Sequence, residues 1–130
     1  MSNDEKAHYW LTSAEQDWKV ARHLFEKRDY PYALFFGHLT VEKVLKALVV
    51  ARTGNQPPMT HRLMLLVEKA GLALSEEQSE LLEAVTDFNL EARYPDEKFS
   101  FRRQCTRGFT ESYLKKIGEL RRWLRRQVKS

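Results

Sequence analysis

Two groups of side chains in this 130-residue chain have the types and spacing that chemistry uses. His38, Glu42 and Lys46 follow one another at steps of four, so on a helix they share one face. Glutamate ahead of lysine at that spacing is the favourable order and contributes a few tenths of a kcal/mol; a solvated helix face is the plainer account of the pattern. The second group is Asn89-Leu-Glu-Ala-Arg-Tyr-Pro-Asp96. Proline disfavours α geometry at the residue before it, so Tyr94 should be extended, with Arg93 and Tyr94 held at a defined helix exit. Arg93 offers a planar fork of donors suited to phosphate or carboxylate, and Tyr94 a stacking surface. Asp96 can accept from exposed N–H groups or pair with Arg93. A helix-terminating turn closed by an Arg–carboxylate pair is the plainer account of the same residues. His61, just after Pro57-Pro58, can cap a helix or donate into a pocket.

The elements that must position these groups are helical. Ser2 and Glu5 fit a capping box, and Ala7, Leu11, Ala14, Trp18, Ala21 and Phe25 recur at steps of three and four, predicting a helix ending near Arg28. Asp29 can cap the next helix, with Pro31 in its first turn. That second helix carries Ala33, Phe36, Gly37, Thr40, Val41, Val44, Leu45 and Leu48 on one side and stops at Gly54 and the proline pair. A short third helix begins at Thr60 or His61 and ends at Gly71. Ser75 with Gln78 opens a fourth, with Leu81, Leu82, Val85 and Phe88 apolar. A single long closing helix should run from Phe101 through Cys105, Phe109, Tyr113, Ile117, Leu120 and Leu124 to Val128.

No stretch alternates with the period of two of a half-buried strand. The fold class is therefore all-α: a mostly antiparallel bundle of about five helices, one domain over residues 1–130. The apolar share of 42% suits a folded core, and no apolar run is long enough to span a membrane. The start of the chain does not have the basic and apolar order of a secretory signal, so a cytoplasmic location is expected. Cys105 is the one cysteine, and no Cys/His spacing suits zinc, so neither a metal nor a cofactor is expected.

The net charge of +4 hides an asymmetry. Residues 1–97 carry 11 Lys/Arg against 16 Asp/Glu, and residues 98–130 carry 11 against 2. Arg121, Arg122, Arg125, Arg126 and Lys129 could attract nucleic acid, or pair with the acidic remainder of the same fold or of a second subunit. Trp10, Trp18, Phe25, Phe35 and Phe36 follow the apolar stripes and belong to core and dimer contacts; Trp123, among arginines, could pack or make a cation–π contact.

The segments "HLTVEKVLKAL", "PPMTHRLMLL" and "EARYPD", in that order and with a basic closing helix, resemble the HEPN family (higher eukaryotes and prokaryotes nucleotide-binding domain) over nearly the whole chain. The resemblance implies a five-helix bundle that forms a homodimer, a role in nucleotide or RNA handling, and a small nucleotidyltransferase as partner. Glu42, Lys46, His61, Arg93, Tyr94 and Asp96 match the family's pattern, which implies that several of them converge near one groove. Lys46 and Arg93 would then meet phosphates, Tyr94 a base, and Glu42 and Asp96 would orient the basic groups or a ribose hydroxyl.

Many family members resemble metal-independent ribonucleases in which four to six residues separate an arginine from the histidine that follows it. Here the positions after Arg93 are Lys98, Phe99 and Ser100, and no histidine follows His61. The expectation is a non-catalytic subunit of a two-component system resembling a toxin and antitoxin. The alternatives are a ribonuclease whose site joins Arg93 to His61 from afar, a basic nucleic-acid-binding module, and a plain dimerisation bundle.

Overall fold

In the computed structural model, which describes residues 1–129, the chain forms six helices and no strand among those residues. They are α1 (Asn3–Glu26), α2 (Tyr30–Thr53), α3 (Leu63–Ala70), α4 (Glu76–Arg93), α5 (Ser100–Gln104) and α6 (Arg107–Lys129). Both predicted capping boxes form: Ser2 with Glu5 at the start of α1, and Ser75 with Gln78 at the start of α4. Asp29 stands at the N-cap of α2, but its side chain makes no capping bond there.

The turn between α1 and α2 closes with Asp29 N–H on the Leu24 carbonyl, and it places Arg28 at φ 64, where glycine is usual. α3 starts at Leu63, two residues beyond His61, because Thr60 and His61 stay in the loop.

α2 is the central helix and touches all five others. A helix apolar all round belongs inside. Its sequence looked one-sided, yet 13 of its 24 residues are buried, including His38 and Glu42. Gly37 lets α6 come close: a Cβ there would stand 3.0 Å from Ile117 Cδ1. Leu34, Leu45 and Leu48 of α2, Leu63 and Leu66 of α3, Leu82 of α4, and Ile117 and Leu124 of α6 are fully buried in the core. Trp10, Trp18, Phe25, Phe35, Phe36 and Trp123 pack partly buried against it. No helix among the described residues is long and apolar enough to cross a membrane.

The single closing helix expected from Phe101 to Val128 is instead two. Thr106 behaves as an N-cap, its hydroxyl accepting from Phe109 N–H and its carbonyl from Thr110 N–H, so the chain restarts there as α6. Phe101 and Cys105 still face the core, on α5 and just after it, which is why the apolar stripe looked continuous across the break.

Candidate functional site

The middle of α2 carries a buried carboxylate on the face beside its apolar stripe. Glu42 is 3% exposed, and both oxygens are engaged. Oε2 accepts from Lys46 Nζ at 3.1 Å, and Oε1 accepts from His61 Nδ1 at 2.7 Å. The His38–Glu42–Lys46 face is therefore not a solvated one. Lys46 is spent within the fold: it bonds Glu42 and lies 5.1 Å above the Trp10 ring. His61 differs, because its side chain is 54% exposed. With Nδ1–H given to Glu42, the neutral ring carries its lone pair on Nε2, which takes no hydrogen bond from the described residues.

His38 is fully buried between that pair and α4. Its Nε2 lies 3.0 Å from the His61 carbonyl, and its Nδ1 lies 3.2 Å from Asn89 Nδ2. Asn89 Oδ1 in turn accepts from Arg93 Nε at 3.0 Å. The direction of every bond is fixed by the ends, since a guanidinium can only donate and a carbonyl can only accept. Arg93 donates to Asn89, Asn89 donates to His38 Nδ1, and His38 Nε2–H donates to His61. That order requires neutral His38. Burial pushes its pKa below the usual imidazole value, with nearby His61 and Arg93 adding to the effect; the hydrogen bond to the His61 carbonyl and the Glu42 charge oppose it. The 3.9 Å approach of His38 Nε2 to Glu42 Oε1 is accordingly not an ion pair.

At the surface end, Arg93 lies 5.1 Å over the Tyr94 ring, and no described residue hydrogen-bonds its two terminal Nη groups. Tyr94 caps α4 at φ -128 and ψ 71, out of the helical region as the following proline requires but short of the extended conformation expected, and is 66% exposed. Asp96 does the first of the two things open to it. It accepts from Ser100 N–H at 2.8 Å at the start of α5, and that bond holds its carboxyl below the usual range. It makes no ion pair with Arg93.

Of the predicted residues, Glu42, Lys46 and His61 thus form one bonded cluster, Arg93 joins it through Asn89 and His38, and Asp96 stands apart. A cleft of about 360 Å³ elsewhere, between α4 and α6, is lined by Leu81, Tyr113, Leu120 and Trp123 with Glu77, Glu80 and Glu119 at its edge; none of the six predicted residues lines it. Among the described residues no group of His, Cys, Asp and Glu could hold a metal ion.

Sequence reasoning passed over Asn89 and took His38 only as a member of a helix face. The available signal was spacing: Asn89 sits four before Arg93 and directly after Phe88, on a stripe that is otherwise apolar.

In the basic tail, Arg121 and Arg125 both bond Glu15 of α1, Arg125 at 3.0 Å. Arg121 also lies 5.2 Å over Trp18. Arg122, Arg126 and Lys129 remain exposed.

The family model for the HEPN domain matches residues 7–127, and the chain belongs to that family. No curated protein and no solved structure matches it. Membership carries a role connected with nucleotides or RNA.

Proposed function

We propose that this HEPN domain is a non-catalytic subunit that binds a nucleotide or RNA segment through its phosphate at Arg93, with a base against Tyr94 and with His61 at the margin of the site. The observation that carries the reading is the state of Arg93. Its Nε is tied to Asn89, its terminal donors are open, and its guanidinium carbon lies 5.1 Å from the centre of an exposed aromatic ring. Such a fork suits phosphate oxygens, and a tyrosine beside it suits an unstacked base. The subunit acts in the cytoplasm as a homodimer of antiparallel helices and docks with a small nucleotidyltransferase, in a pair resembling a toxin and antitoxin. The missing histidine after Arg93 supports binding without cleavage.

The test is anisotropy with a dye-labelled oligouridylate, alongside intact-RNA gels. Wild type should bind and leave RNA whole, and Arg93→Ala should lose roughly tenfold or more in affinity with its fold intact. Equal binding by the variant would reject the assignment.

One observation favours a second reading. A carboxylate–imidazole pair with the outer nitrogen open is the arrangement of a positioned general base. RNA cleavage that depends on pH and vanishes in His61→Ala would establish a ribonuclease instead.

A further inference from the structure

The geometry points to Asn89 and His38 as positioning residues: they set the direction in which Arg93 presents its terminal donors, and they do so only while His38 keeps a lone pair on Nδ1. This rests on Arg93 being the phosphate contact proposed above. Neither residue touches a phosphate bound there, because Asn89 is 3% exposed and His38 is fully buried. They act through Arg93.

An arginine at a helix end has several rotamers, and fixing one costs entropy at the moment of binding. Here the cost is met in advance. Asn89 Oδ1 fastens Nε, so rotation about the long side chain is restrained and the Nη pair stays outside. The Asn89 amide could flip, with its nitrogen then meeting the guanidinium donor to donor. His38 prevents this, because its Nδ1 accepts only from the amide nitrogen. His38 is itself held by the His61 carbonyl, which accepts from Nε2. The string therefore has one consistent polarity from α4 through α2 to the loop before α3.

A proton on His38 inverts that polarity. Nδ1–H would then need the Asn89 oxygen, and the amide nitrogen would face Arg93. The charged and titratable groups facing His38 are Glu42 on its own helix, His61 on the loop, and Arg93 on α4. Burial is the main cause that keeps His38 neutral, and because a proton there turns the amide nitrogen toward Arg93, proton and ligand oppose each other through the string.

The experiment compares wild type, Asn89→Leu, Asn89→Asp and His38→Gln. One readout is oligouridylate affinity; the other, in ligand-free protein, is the Arg93 Nε–Hε NMR signal. Oligouridylate suits the purpose because its internal phosphodiesters do not titrate between about pH 5 and pH 8. Asn89→Leu should lose about tenfold in affinity at neutral pH and show an averaged, fast-exchanging Arg93 signal.

His38→Gln keeps one donor and one acceptor and cannot take a proton. It should bind within about twofold of wild type at neutral pH, and the ratio of wild-type to variant affinity should fall on acidification. Asn89→Asp retains the acceptor for Arg93 but draws a proton onto His38. It should keep the restrained Arg93 signal, which serves as the folded control if Asn89→Leu does not fold.

An Arg93 signal unchanged in Asn89→Leu, or averaged in Asn89→Asp, overturns the proposal, as does a wild-type to His38→Gln ratio that is flat with pH. If wild type fails to bind oligouridylate at all, the phosphate reading falls, and the ligand-free Arg93 signal still decides whether Asn89 positions it.

Discussion

Glu42 Oε1 and His61 Nδ1 stand 2.7 Å apart, joining a side chain that is 4% exposed to one that is 54% exposed. The carboxylate is thus a link between the interior and a surface imidazole, and it also holds the nearly buried Lys46. Removing it strands that ammonium in a low-dielectric setting, which is the costly way to break a buried pair. Glu42→Ala should lower the unfolding free energy by about 3 kcal/mol. Glu42→Gln, which can still accept from Lys46, should lose less, about 1–2 kcal/mol. Urea unfolding at neutral pH measures both. A loss in Glu42→Ala no greater than that of an ordinary surface substitution would mean that Lys46 finds water instead.

Stability should fall on mild acidification because of His38. Its folded pKa lies below the unfolded value of about 6.5. Between the two, the unfolded chain binds a proton that the folded one refuses, so stability rises with pH there. The contribution is complete above about pH 6.5 and is lost as the pH drops from there through the folded pKa. Below that it is flat. His38→Gln has no such group, so the difference in urea midpoint between variant and wild type should grow in the variant's favour from about pH 7 to pH 5. A difference that does not move with pH would show that His38 titrates alike in both states.

What the sequence made legible follows from what is local. Ser2 with Glu5 and Ser75 with Gln78 form their boxes because the partners are three residues apart. Gly54 and Gly71 end α2 and α3 in the left-handed region as glycines do. Thr106 was hidden because Phe101, Cys105 and Phe109 keep the apolar spacing across the break it causes. The candidate site was legible as residues but not as a network. His38 meets Asn89 across 51 positions and His61 across 23, and no periodicity carries such pairs. Of the two partners open to Asp96, nearness in the chain suggested Arg93, and the turn after Pro95 gives it the other, an exposed N–H, that of Ser100.

Cys105 gives a test of the packing where α5 ends. It is buried, and burial, with a smaller push from the Glu91 charge, raises its thiol to about 12. The thiolate is the reactive form, so native protein should resist alkylation by iodoacetamide near neutral pH and label quickly in urea. Since the folded pKa is raised from 9.0, stability should be unaffected by this group below about pH 9 and should decline above it as the unfolded thiol ionises. Prompt stoichiometric labelling of the native chain would show that the segment around Cys105 opens freely.

Glu15 decides how much of the basic tail faces outward. One carboxylate oxygen serves both Arg121 and Arg125, and the Arg121 side chain is only 14% exposed, so α1 and α6 are fastened through it. Glu15 itself is 42% exposed, and water screens the pair, so Glu15→Ala should cost only about 1 kcal/mol. Its electrostatic effect should be plainer. Arg125, freed of its internal carboxylate, would join Arg122, Arg126 and Lys129 on the surface. Oligouridylate binding by the variant should tighten at low salt, and the slope of log affinity against log salt should steepen by about 0.7, the value for one further phosphate neutralised on a single strand. Combined with Arg93→Ala, this separates two surfaces. If the tail is the principal contact, Arg93→Ala leaves the slope and most of the affinity in place; if Arg93 is, the double variant binds weakly even at low salt.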